Sequence, residues 1–473
     1  MNPVNPPPAF PAPCSRREML RRCGAGFGLV GLAALLGDQL RAGGAPAPGD
    51  PLAPRAPHFR PRARRVIQIL ANGGPSQMDT FDPKPALTRY HGKRLPIHLE
   101  TERPTATALG SPFTFQRYGQ SGLEVSELFA GLAEKHADDL CVIRSLHTDT
   151  PVHENCLRLM NCGASIMARP SIGAWVTYGL GTENRDLPGF VVLVPKGLPV
   201  AGADNWQAAF LPGSYQGTYL ETQDRDPASL IDHLRTTESG SAAQRAQLDL
   251  AAALNRRHLA GREDPGLEAR IHSFETAFRM QTAATDAFDI SKESEKTREM
   301  YGKTDLGAKL LCARRLVERG VRFVQVDAGG WDHHTNLFTS IAQRAENIDG
   351  PAAALIADLK QRGLLDQTLI IWGGEFGRTP TTAGRVNQAS GRDHHSKAFC
   401  CWMAGGGVKG GMHYGETDEI GSQVAADGVD VHDLHATILR LLGFDHTKLT
   451  YRYNGRDFRL TDNFGKAVEK IIA

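Results

Sequence analysis

Two stretches of the sequence gather the residue types that hold metal ions and move protons. The first runs from Arg322 to His334 and ends Gly329-Gly330-Trp331-Asp332-His333-His334. The second opens at Leu369, passes through Gly373-Gly374-Glu375-Phe376-Gly377-Arg378, and continues to Gly391-Arg392-Asp393-His394-His395. Carboxylate oxygens mixed with imidazole nitrogens suit zinc, manganese or iron, and suit calcium less well. A lone Asp-His pair in a loop is usually a turn or a solvated cap. Three clusters (Asp332 to His334, Glu375 to Arg378, Asp393 to His395), each following a strand-like run or a glycine, point jointly to a metal or catalytic site.

The elements that must position these residues are short apolar, β-branched runs of the kind that form buried parallel strands. In an open α/β sheet, ligands bind beyond the carboxyl ends of the strands, so corners from neighbouring strands aim at one crevice. Arg65 to Ala71 reads as the first strand and opens into Asn72-Gly73-Gly74-Pro75-Ser76-Gln77-Met78-Asp79. Glycines there let the backbone approach a ligand, which makes Asn72, Ser76 and Asp79 candidates; a plain turn with an Asx cap is the competing account. Val125 to Lys135 reads as a short amphipathic helix and Leu140 to Arg144 as a strand. The following loop carries His147, Asp149, Thr150 and His153 into a helix over Cys156 to Met160. Polar groups at a helix start meet free N–H groups and a favourable dipole for anions; simple capping by Asp149 or Thr150 is the alternative there.

Phe190 to Val194 is a further strand. Residues 223–301 are polar, rich in Ala and Arg and helical in period, and read as a helical insertion. Helices over Leu306 to Arg319 and Ala342 to Arg362 each end at a glycine before the next strand, which predicts parallel crossovers. Phe399 to Met403 is a strand leading into a glycine-rich loop that lacks the G-x-x-x-x-G-K-[ST] order of a phosphate loop. Val431 to Leu442 closes the chain as a helix, on which His432 and His435 read as core and cap residues rather than a metal pair. The expected fold class is therefore α/β, a mostly parallel sheet flanked by helices, with a helical insertion.

Composition narrows the function classes. At 473 residues, 41% hydrophobic and 22% charged, the chain is an ordinary globular protein of one large or two smaller domains. The formal charge is +2, but the first 45 residues hold five Arg against Glu18 and Asp38. The remainder is close to −1, which leaves no polybasic case for nucleic acid. Cys141, Cys156, Cys162, Cys312, Cys400 and Cys401 show no C-x-x-C spacing, against a zinc ribbon or a redox motif. Most of them read as small buried apolar residues.

Residues 1–45 read as a twin-arginine signal peptide: Arg16-Arg17, then an uncharged run from Gly24 to Gly37, then small residues around Ala42 to Ala47. That run is too short to span a membrane. Residues 46–61 are a Pro- and Ala-rich linker, and 62–473 the mature domain. The expected location is periplasmic or extracellular, with no stable membrane span once the signal is cleaved.

From about Phe59 to Asp462 the chain resembles the bacterial proteins grouped as domain of unknown function 1501. The resemblance is carried by Asn72-Gly-Gly-Pro-Ser76, Gly330-Trp-Asp-His-His334, Gly374-Glu-Phe-Gly-Arg-Thr379 and Arg392-Asp-His-His395. That family looks like a branch of the alkaline phosphatase and sulfatase superfamily, whose enzymes hydrolyse phosphate or sulfate esters with two metals at the carboxyl ends of a mostly parallel sheet. The resemblance implies metal ligands at Asp332, His334, Glu375 and His394, and Asp393 joins them as a further metal candidate. His334 and His394 are favoured over His333 and His395 by the W-D-T-H and T-D-H-G patterns of relatives. Asn72 stands where the superfamily has a metal-binding Asp, which passes that part to Asp79. The sulfatase C-x-P-x-R signature is absent.

Spacing back from Gly163 sets His153 at the nucleophile position, without an unambiguous Ser, Thr or Cys. Either His153 is nucleophile or general base, or hydrolysis has been lost. The function so implied is an exported hydrolase of phosphate or sulfate esters using zinc or manganese, as one ion or two. Arg378 would hold the anionic ester, which could belong to a sulfated or phosphorylated polysaccharide. The alternative is an inactive relative that binds an anionic polysaccharide or a partner protein.

Export has a direct test. Changing Arg16 and Arg17 to lysine should strand the precursor in the cytoplasm, because the receptor reads the guanidinium pair. Unchanged export of that variant, followed by fractionation and blotting, would remove the twin-arginine reading.

Overall fold

Runs of Val, Ile and Leu build the sheet on which everything else is hung. Its strands are β1 (Arg65–Leu70), β2 (Leu140–His147), β3 (Phe190–Val194), β4 (Thr218–Glu221), β5 (Phe323–Asp327), β6 (Thr368–Gly373), β7 (Phe399–Ala404) and β8 (Met412–Tyr414). They lie in the order β8-β2-β7-β6-β1-β5-β3-β4, with Val429–Asp430 also pairing to β2. Neighbours are parallel except at β7, which is antiparallel to both β2 and β6. The structure is a computed structural model. It describes residues 51–473 except positions 96, 98, 100, 102–104, 196, 223–240, 260–266, 268–273, 276–277 and 280–285.

Register is what matters for function. β1 pairs Leu70 with Asp327 of β5 on one side and with Gly373 of β6 on the other. Three parallel strands therefore end flush, and the loops after Leu70, Asp327 and Gly373 leave the sheet along one edge.

Alternation along the strands fills two layers. Ile67, Ile69, Val324, Val326, Ile370 and Trp372 join the core with the helices Ala130–His136, Asp305–Glu318 and Leu337–Gln361. Val66, Phe323, Leu369 and Ile371 join the opposite core with the helices Ile172–Leu180 and Val431–Leu441. Each fully buried aliphatic or aromatic side chain contributes about 1.5–3 kcal/mol, so the sheet is held from both faces.

One polar bridge interrupts the second layer. The Gln68 and Gln325 amides donate to Asn161 Oδ1 at 3.2 and 3.4 Å, and Asn161 Nδ2 donates to Asn205 Oδ1 at 2.9 Å. Asn161 belongs to the helix His153–Cys162. The bridge thus ties that helix to the two central strands β1 and β5, and fixes where its first residue, His153, stands.

The α/β class with a mostly parallel sheet is what the sequence pattern indicates, and most elements fall within a few residues of expectation. Three do not. Val125 lies in a strand, Leu123–Ser126, paired with Phe115–Tyr118, and the helix begins only at Ala130. The last strand read from the sequence, β7, runs antiparallel, because an apolar run carries no direction. The helix expected from Ala342 already starts at Leu337.

The expected signal peptide and the first residues of the expected linker lie outside the described residues, as do parts of the expected insertion; its described parts include the helices Ser241–Leu259 and Glu295–Met300. All six cysteines of the described residues are buried and free. Among those residues no helix is long and apolar enough to cross a membrane.

Replacing Asn161 by Ala should lower stability by about 1–3 kcal/mol for each amide left buried without a partner. Urea unfolding measures this. A variant as stable as the wild type would show that the bridge does not hold the helix.

Candidate metal centre

The loops at the flush edge are locked to one another by backbone. Asn72 O, just past β1, accepts from the N–H groups of Gly330 and Trp331 at 3.1 and 3.2 Å. Gly73 takes a positive φ of 114°, and a Cβ there would lie 2.5 Å from Asp332 N. Only glycine lets the two loops meet so closely. Trp331 is buried, donates from Nε1 to Ala328 O at 2.7 Å, and stacks edge-on to Trp372 of β6. The third loop joins through Arg392 N, which donates to His333 O at 3.2 Å. Gly377 and Arg378 pair antiparallel with His395 and His394.

These anchors bring Asp332, His334, His394 and His153 together. Asp332 Oδ1 lies 3.0 Å from His334 Nε2 and 3.2 Å from His394 Nε2, and Oδ2 lies 3.6 Å from His153 Nε2. His334 Nε2 and His394 Nε2 are 2.9 Å apart. The far nitrogen of each ring faces an acceptor. His153 Nδ1 donates to Glu375 Oε1 at 2.6 Å and His394 Nδ1 to Pro151 O at 2.9 Å, while His334 Nδ1 lies 3.4 Å from Asp393 Oδ1. Because a carboxylate or carbonyl oxygen can only accept, Nδ1 of His153 and of His394 carries a proton, and a cation bound at the cluster would take the place of the Nε2 protons that otherwise face Asp332.

Two groupings fit a divalent cation, His153 with Asp332 and His394, and His334 with Asp393 and His394, each with its ligand atoms within 4.8 Å of one another. Ligand atoms about 2.0–2.1 Å from one ion are about 3.3 Å apart in a tetrahedral site, close to the separations here. Two imidazole lone pairs 2.9 Å apart repel unless a proton or a cation lies between them. His153 Nε2 is buried with no hydrogen-bond partner. Asp332, Glu375 and Asp393 set three carboxylates against the single guanidinium of Arg378, an imbalance that a dication removes.

The electrostatics agree. Burial opposes charge on His153, but the Asp332 and Glu375 carboxylates outweigh it and lift its pKa to about 9; the same pair would favour a metal ion in place of that second proton. Burial also opposes charge on Asp332, yet His153, His334, His394 and Arg378 hold it well below the usual carboxylate range. His333, beside the cluster, is driven down to about 4 by burial and by the Arg378 and Arg344 charges.

Several predicted residues stand elsewhere. Glu375 is wholly buried and both its oxygens accept from Gly73 N at 3.0 and 3.1 Å; it braces His153 rather than facing the Nε2 atoms. Asp393 likewise stands behind His334 and accepts from His394 N at 2.9 Å, although its oxygen is near enough to His334 and His394 to form a second three-ligand grouping. Asp79 takes no part in the cluster: it is buried in an ion pair with Arg392 Nε at 2.9 Å and accepts from Ser76 Oγ at 2.5 Å. Asn72 serves through its carbonyl.

Arg378 corrects the expectation of an ester clamp. Its guanidinium is fully buried and engaged by Gly73 O, Gly74 O, Arg392 O and, at 2.6 Å, Asp332 Oδ1. No edge of it is left for a substrate. It orients Asp332 instead.

His153, His334 and His394 therefore converge with Asp332 from three separate loops, and neither His333 nor His395 exchanges with its neighbour; His395 Nε2 instead bonds Ser422 O at 2.7 Å. Sequence reasoning missed Phe376, whose ring lies 4.8 Å from that of His153 and 4.6 Å from that of His394. It also missed Gln77, whose amide bonds both the N–H and the carbonyl of Arg378. Nothing in their local spacing marks either. Cys156, one turn along from His153, donates to Thr150 O at 2.6 Å, and burial pushes its thiol up to about 12, which removes it as a nucleophile.

A model of the family described as protein of unknown function, DUF1501, matches residues 63–472. No curated protein matches the chain. Among solved structures it is similar to a variant of TAB5 alkaline phosphatase with Mg bound in its M3 site, at 10% identity and a TM-score of 0.35, covering 81% of this chain and 99% of that one. It is also similar to the lipoteichoic acid synthase LtaP from Listeria monocytogenes, at 9% identity, TM-score 0.31, and 87% and 78% coverage. A third is the PsFucS1 sulfatase from Pseudoalteromonas sp., at 12% identity, TM-score 0.32, and 84% and 74% coverage. Likenesses this distant assign no activity to this chain.

Proposed function

The chain belongs to the DUF1501 family, and we propose that it is a metal-dependent hydrolase of phosphate or sulfate esters. The observation that carries this reading is the convergence of three oriented Nε2 atoms on one half-exposed carboxylate, Asp332, whose side chain is 45% accessible. His153, His334, His394 and Asp332 would hold the ion. A divalent cation there would supply Lewis acidity that polarises an ester oxygen and makes water nucleophilic near neutral pH.

The chain's own residues do the rest. Glu375 and Asp393 face Nδ1 of His153 and His334, which raises the basicity of the opposite nitrogens and stops the rings from turning. Arg378 fixes one edge of Asp332 and leaves its exposed side toward solvent. Phe376 closes the floor beneath two of the imidazoles and keeps water from behind them. His153, at the first position of its helix, reaches the cluster with no side chain capping the turn.

The test uses protein purified by its own export route, with metal measured by mass spectrometry and turnover on p-nitrophenyl phosphate and p-nitrophenyl sulfate. A chelator should abolish turnover, and zinc or manganese should restore it. His334→Ala and His394→Ala should lose both metal and turnover. Glu375→Ala should weaken metal binding about 10–100-fold, as loss of a bracing carboxylate does, and Glu375→Gln should weaken it less. Turnover indifferent to the chelator, or a wild-type protein that takes up no metal, would contradict the proposal. His153→Ala that kept its metal but lost turnover would move His153 from ligand to base or nucleophile.

A further inference from the structure

With Arg378 engaged by backbone carbonyls and Asp332, the centre has no buried guanidinium to offer a substrate. A second guanidinium stands on the helix that follows the cluster loop. Arg344 is exposed on the helix Leu337–Gln361, whose start follows directly on the Asp332 to His334 loop. It lies seven residues into that helix, about 10 Å along the axis. Side chains on a helix lean toward its N-terminus, so Arg344 reaches back toward the loop that carries the cluster.

The contact it makes there is specific. Gly330, two residues before Asp332, has φ +92°, and a Cβ built on it would lie 2.7 Å from Arg344 Cζ, 2.8 Å from Nε and 2.9 Å from Nη2. The guanidinium thus occupies the space that a side chain at Gly330 would fill. Two residues span at most about 7 Å of backbone, so Arg344 packs on the same loop that carries Asp332. Arg344 has no hydrogen-bond or ion-pair partner among the described residues. Asp332 already faces Arg378 and three imidazoles, and so does not take it up. A solvated surface arginine needs no such cradle.

We infer that Arg344 is the specificity residue for the anionic group of the substrate, binding the tetrahedral oxyanion of a phosphate or sulfate ester at the rim of the metal centre. The planar fork of a guanidinium matches two oxygens of such a group, which a lysine ammonium does not. This assignment rests on the hydrolase reading above and gives it the ester clamp that Arg378 cannot be.

The test is calorimetric titration of inorganic phosphate into metal-loaded wild-type protein, Arg344→Gln and Arg344→Lys, with metal content measured in each. Because Arg344 is exposed, its replacement should leave folding and metal content unchanged. Arg344→Gln should weaken phosphate at least about tenfold, and Arg344→Lys should recover part of the loss. On p-nitrophenyl phosphate the Gln variant should raise KM with little change in kcat, as loss of a uniform binding contact does. Equal phosphate affinity in wild type and Arg344→Gln at equal metal content overturns the assignment and leaves the metal centre standing, as does a metal-loaded wild type that binds no phosphate. A wild-type protein without metal overturns the hydrolase reading instead.

Discussion

Asp332 sits where one carboxylate meets three imidazoles and a guanidinium, and the rest of the structure makes that meeting possible. Bringing so many titratable groups together is costly unless each is paired and hydrogen-bonded. The chain meets this condition by placing an acceptor against the far nitrogen of every ring and four acceptors around Arg378. At the centre itself His153 Nε2 has no hydrogen-bond partner, and the Nε2 atoms of His334 and His394 face each other at 2.9 Å. A cation at that point resolves both.

The convergence depends on strand ends rather than on local sequence. β1, β5 and β6 terminate in register, and the glycine at position 73 lets the first and second loops touch backbone to backbone. His153 comes from farther off, on a helix pinned to the central strands by the Asn161 amide bridge. The long-range scaffold is rigid and buried, while the one face of Asp332 that is exposed looks outward. Precision at the base and access at the rim are thus supplied by different parts of the fold.

Much of this was legible in the residues. Apolar runs ending in glycine, then Asp332-His333-His334 or Glu375, marked the strand ends, while His153 was singled out as nucleophile or base by the resemblance, through its spacing before Gly163. The choice of His334 and His394 over their neighbours came from the resemblance to relatives. What could not be read was depth. Glu375 and Arg378 have the right side chains for a ligand and a clamp, but they stand one layer behind, because backbone groups such as Gly73 N and Gly74 O claim them first. Asp79 was drawn into an ion pair with Arg392 by a contact 313 positions apart in sequence, which no local pattern encodes. The direction of β7 was illegible for the same reason.

The account stands or falls on where a bound ion lies. Crystals of the metal-loaded protein, measured at the absorption edge of the metal, would place it directly. The account predicts an anomalous peak about 2.0–2.2 Å from Nε2 of His153, His334 and His394 and from a carboxylate oxygen of Asp332, with Glu375 still bonded to His153 Nδ1. A peak bonded to Glu375 or Asp79 instead, or no peak near Asp332 in metal-loaded crystals, would contradict it.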